Sequence, residues 1–168
     1  MRQTLLVALA LVSFACAGDD SLAVTGEVQV TSDGTSTGFA FDRRTNLLDP
    51  DLAAPDDTRL RGRCVIGRDD AGEDVVAFAI ERSPTSSSGI QIDRFAVRAM
   101  RDGTGDLEVE LGGVTHTASA SGTCDIALPY AVRSDGIASV QIDCTVSDAS
   151  GGTAQVTADL SYEGCDVE

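Results

Sequence analysis

The chain has 168 residues, with 27 Asp and Glu against 12 Arg and no Lys, giving a formal net charge of −15. Such an acidic balance excludes nucleic-acid binding through a basic surface, because phosphate contacts need clustered cations, and it disfavours charge-driven adsorption onto an anionic membrane face. The length suits one domain with a core of its own, and no repeat or composition shift marks a second.

The N-terminus opens on the short, positively charged Met1-Arg2-Gln3. Residues 4–14 (TLLVALALVSF) are uncharged and mostly apolar, and Ala15-Cys16-Ala17 follows. This is the three-part layout of a secretory signal. The apolar run is shorter than the roughly 20 residues a spanning helix needs.

The stretch Val12-Ser13-Phe14-Ala15-Cys16 resembles the lipobox of bacterial lipoproteins, with a small residue before the cysteine and a Gly18-Asp19-Asp20 tether after it. Ser13 stands where Leu is usual, and Phe14 is bulky for its position. The resemblance implies a signal peptide over 1–15, a lipidated Cys16 with a short tether over 16–21, and a domain over 22–168. It also implies a membrane partner through the lipid, at the outer membrane or the periplasmic face. Ala15-Cys16-Ala17 is equally a small-x-small site. Cleavage after Ala17 would remove Cys16 and leave a secreted protein.

From residue 22 the dominant signal has period two. Val24, Gly26, Val28 and Val30 alternate with polar residues up to an Asp33-Gly34 turn, and Phe39 and Phe41 mark a second short strand. Pro50, Pro55 and four Asp make 43–58 an irregular acidic loop, long enough to be mobile or functional. Arg59, Arg61 and Arg63 then share one strand face, opposite Leu60, Gly62 and Cys64. Residues 74–82 (DVVAFAIER) are apolar on both parities, as a central strand would be. A phase change between Ile90/Ile92 and Phe95/Val97 predicts a bulge near Asp93-Arg94. Leu107, Val109 and Leu111 form the cleanest strand, and Gly112-Gly113 turns it into 114–120. Strands follow around Cys124–Leu128, Val140–Val146 and Ala154–Tyr162. The expected fold is a single antiparallel β-sandwich or barrel of about nine strands, without a convincing helix after the signal.

With Cys16 set apart, Cys64, Cys124, Cys144 and Cys165 form an even set, which in an exported chain reads as two disulfides. A thiolate zinc site is disfavoured because no CxxC pair exists. Cys124 shares its parity with Ile126 and Leu128, and Cys144 with Ile142 and Val146. The preferred pairing is therefore Cys124 with Cys144 and Cys64 with Cys165.

No chemical motif stands above background. His116 is the only imidazole, and with no Gly-x-Ser-x-Gly elbow in the chain it reads as a packed structural residue rather than a catalytic one. Glu108 and Glu110 lie on an outward strand face, where solvated acids are the default. Asp49, Asp51, Asp56 and Asp57 are candidate calcium ligands on the acidic loop, and Asp69, Asp70 and Asp74 surround Gly72, yet neither set has EF-hand spacing. The absence of Trp leaves only Tyr130 and Tyr162 to stack on a sugar, and Tyr130 is the better-exposed candidate. The expectation is a non-enzymatic envelope lipoprotein without a cofactor, acting as a binding or structural module for a protein or glycan partner. The alternatives are a secreted acidic β-domain that binds calcium or a glycan, and a hydrolase with an unrecognised site.

Overall fold

Alternating apolar and polar side chains set both the strands and the face each strand buries. The computed structural model describes residues 22–51, 60–81, 92–119, 124–130 and 135–168, and Cys16 lies outside them. Eleven strands occur among the described residues: β1 (Ala23–Ser32), β2 (Thr35–Asn46), β3 (Arg61–Arg68), β4 (Asp74–Glu81), β5 (Ile92–Met100), β6 (Gly105–Leu111), β7 (Val114–Ser119), β8 (Cys124–Ala127), β9 (Ile137–Ser147), β10 (Thr153–Glu163) and β11 (Asp166–Val167). Among these residues no helix forms, long and apolar enough to cross a membrane or otherwise.

The all-β class and the two disulfides are as expected, while the sandwich or barrel of about nine strands takes the form of a single curled sheet with more strands. The strands form one curled sheet in the order β11-β3-β4-β5-β6-β7-β9-β10-β1-β2, with β8 paired to β9 beside this path. The result is an open half-barrel. Two antiparallel halves, the β3-to-β7 meander and the set β9-β10-β1-β2, meet through the single registered pair Thr117–Ser147. The accumulated twist of the strands curls this one sheet until its halves face each other. Phe78 of β4 thereby stacks on Tyr162 of β10, with ring centroids 3.7 Å apart. The core lies between the halves, with Val28, Ile80, Phe95, Val109, Ile126 and Leu160 all inaccessible to solvent.

The predicted bulge is present: the β5–β6 register shifts between Ile92 and Arg94. It turns the Asp93 carboxylate toward the next hairpin, where it accepts a hydrogen bond from the Gly113 amide at 3.1 Å. A second shift, between Val24 and Gly26, is not legible in the alternation. Gly26 has φ +110°, and a Cβ there would lie 1.9 Å from the Asp159 carbonyl oxygen, so the position admits glycine alone.

The acidic loop is shorter than its composition suggests. Strand β2 continues to Asn46, and Leu48 forms a parallel bridge with Arg61. The Leu48 amide donates to the Leu60 carbonyl and the Gly62 amide to the Leu48 carbonyl, each at 3.0 Å. Burial of Leu47 against the side-chain-free face of Gly62 holds this segment in place, outweighing the turn-forming composition around it.

Two disulfides close the fold. Cys124 and Cys144 are directly opposed on β8 and β9, and Cys64 on β3 bonds Cys165 just before β11. This is the pairing that the strand parities favour. Strand β11, too short to show any alternation, pairs in parallel with Val65 and Ile66.

Candidate functional site

Two concavities stand out, one on the outside of the sheet and one at its hairpin tips. The first follows from the apolar outward parity of β4. Cross-strand register sets Arg63, Ala79, Ala96, Glu108 and Thr117 in one row across β3 to β7. The neighbouring row reads Val65, Ala77, Arg98, Asp106 and Ser119. Three half-buried alanines thus form a floor, and long charged side chains stand around it. The groove encloses about 430 Å³, within the range of small-molecule sites.

The rim is electrostatically ordered. Arg94 is held between Glu81, at 3.2 Å, and Glu108. Arg63 pairs with Asp51 and lies 3.7 Å from Asp49. The hydrogen bond and charge of Asp51 raise the pKa of the Arg63 guanidinium. The Asp106 carboxylate accepts a hydrogen bond from the Ser119 hydroxyl at 2.7 Å. Arg98 is exposed and has no ion-pair partner among the described residues.

The second site is a cleft of about 480 Å³ among the β1–β2, β6–β7 and β9–β10 hairpin tips. His116 forms its base and is only 7% exposed. Its Nδ1 lies 3.2 Å from the Val114 carbonyl oxygen, and its Nε2 lies 3.9 Å from Asp148 Oδ2. Asp148 Oδ1 accepts hydrogen bonds from the Ser150 hydroxyl and from the amides of Ser150 and Gly152, at 2.7 to 2.8 Å. These bonds, the Ser150 hydroxyl foremost, lower the pKa of the Asp148 carboxyl, and His116 adds a smaller push in the same direction. The Ser150 hydroxyl is committed to the acid rather than to the imidazole. The described residues around His116 therefore lack the serine-to-histidine contact that would activate a nucleophile.

The other sequence candidates scatter. Asp49 and Asp51 flank Arg63, while Asp56 and Asp57 lie outside the described residues. Asp69 Oδ1 accepts the amides of Ala71 and Glu73 within its own turn, both at 2.9 Å. Asp74 lies 3.8 Å from Arg68 and 4.0 Å from Arg101. No group of three or more His, Cys, Asp or Glu among the described residues is arranged to hold a metal ion. Glu108 is bound to Arg94, Tyr130 is 72% exposed, and Tyr162 is fully buried.

Sequence reasoning missed both concavities. Ala77 and Ala79 on the outward parity of 74–82 were the available signal for the groove. The His116–Asp148 contact joins different hairpins, and nothing local announces it. Comparison with protein-family models, with curated proteins and with solved structures finds no match for the chain.

Proposed function

We propose that the chain is an exported, non-enzymatic binding module of the bacterial cell envelope, anchored by a lipid on Cys16. The observation that carries the export reading is that all four cysteines after Cys16 are consumed in two disulfides. Such bonds persist in oxidising compartments and are rare in the cytosol. The binding reading draws on the outer groove, where an apolar floor is ringed by oriented polar groups.

The mass of the mature protein, measured without reduction, tests the address. A diacylglyceryl adduct on a chain that starts at Cys16, with a deficit of four hydrogens for the two disulfides, is the expected result. A chain that starts at Gly18, without an adduct, would make it a secreted protein. Palmitate labelling that vanishes in Cys16→Ala is the cellular counterpart. The hydrolase alternative has the His116–Asp148 pair in its favour, and an esterase or glycosidase activity abolished by His116→Ala would replace the binding reading. For the calcium alternative, the discriminating result is a rise in melting temperature with calcium that a chelator reverses.

A further inference from the structure

We propose that the outer groove binds an apolar monocarboxylate, whose body lies on the alanine floor and whose carboxylate meets Arg98. This deepens the binding-module reading and rests on it.

The floor supplies the apolar half. Ala79 and Ala96 face each other across β4 and β5, and Ala77 lies one row along. These methyl groups present no donor or acceptor, and among the described residues the polar side chains that line the groove stand on its rim. Covering them with a ligand removes apolar surface from water without breaking any hydrogen bond. The one aromatic residue lining the groove among the described residues, Phe78, is buried and stacked on Tyr162, so its ring is closed to a sugar.

Charge supplies the other half. In a chain of net charge −15, five of the eight described arginines lie on β3 and β5. Arg63 and Arg94 are ion-paired to carboxylates, whereas Arg98 forms no ion pair among the described residues. A guanidinium matches a carboxylate with two parallel hydrogen bonds. Asp106 stands directly across from Arg98 in the register, held by Ser119. A second negative charge on the ligand would meet that acid, so one carboxylate is favoured over two.

Naphthoate is a suitable probe, titrated into the mature, disulfide-bonded chain and followed by the methyl resonances of the alanines. The signals of Ala77, Ala79 and Ala96 should shift together. Arg98→Gln should weaken binding about tenfold or more with an unchanged melting temperature. Ala96→Leu, which raises the floor, should abolish binding. A naphthalene dicarboxylate should bind more weakly than naphthoate. Equal binding of naphthylmethanol or naphthylmethylamine would overturn the anion and leave the groove a binding site. Failure of all four probes to bind, or shifts mapping elsewhere, would overturn the groove as well. The mass of the mature protein is blind to these outcomes, so the anchor and the ligand stand or fall separately.

Discussion

Replacing Tyr162 by Phe should make the protein more stable. Tyr162 is fully buried on β10, and no protein group among the described residues hydrogen-bonds its hydroxyl. Burial alone pushes its pKa well above the ordinary phenol value. Leaving such a group unsatisfied costs about 1–3 kcal/mol. Phenylalanine removes that cost while keeping the ring that stacks on Phe78. For a domain of this size each kcal/mol moves the melting temperature by roughly 2–4 °C, so Tyr162→Phe should melt several degrees above the parent. The sign of the pH dependence offers a second readout. With its folded pKa above its unfolded one, titration of Tyr162 adds nothing to the pH dependence of stability well below pH about 10, whereas above it the unfolded chain gains by ionising. Alkaline pH should therefore destabilise the parent more than the variant. Urea melts at neutral pH and above pH 10 test both parts. A Tyr162→Phe variant less stable than the parent by 1 kcal/mol or more would refute the reasoning, because the hydroxyl would then have a partner that stabilises it.

Further expectations follow from the disulfides, the His116 cleft and the β1 bulge. Converting Cys64 and Cys165 to Ala opens a link across 101 residues, with a chain-entropy cost of up to about 4.7 kcal/mol. The same change at Cys124 and Cys144, 20 residues apart, costs up to about 3.3 kcal/mol, and denaturant midpoints should rank the pair in that order. Because the folded pKa of Asp148 is depressed, its contribution is present above the unfolded carboxyl pKa and is lost as pH falls through the folded one. Asp148→Asn should lower the melting temperature at neutral pH and flatten this acid limb; an unchanged limb would place the acid sensitivity elsewhere. Gly26→Ala forces a Cβ against the Asp159 carbonyl at positive φ, and should destabilise by well over about 1 kcal/mol; a neutral result in a thermal melt would contradict the bulge.

The strands were legible because alternation is local. Val24, Val28 and Val30, or Leu107, Val109 and Leu111, declare an inward face without knowledge of what covers it. The phase change at Asp93 was legible for the same reason, and so was the apolar outward parity of β4. Which strand sits beside which was not. Nothing in β7 or β9 announces that Thr117 and Ser147 join two half-sheets into one sheet, so halves facing each other suggest a sandwich. The parallel contact of Leu48 with Arg61 depends on Leu47 finding the bare side of Gly62, a fit between distant residues. The candidate site suffers most from this limit. Its alanines are individually unremarkable, and they become a floor only when β3 to β7 are aligned in register. Cys124 and Cys144 are the favourable case, since shared parity on two strands was enough to suggest their bond.

The pairing of β1 with β10 has a consequence for the order of events in time. Nine residue pairs join these strands, and among the described residues the backbone of β2 pairs with the sheet through β1, apart from the Leu48 bridge just past its end. A chain delivered N-terminus first must carry β1 and β2 without their permanent neighbour until β10 arrives, close to the last residue. The β3 to β7 meander can assemble as it emerges, because each of its strands pairs with the next. Half of the sheet therefore waits for β10, and the Cys64–Cys165 bond can close only after it. Such contacts of long sequence separation fold slowly. A chain built this way leaves β1 and β2 without their neighbour until β10 has followed.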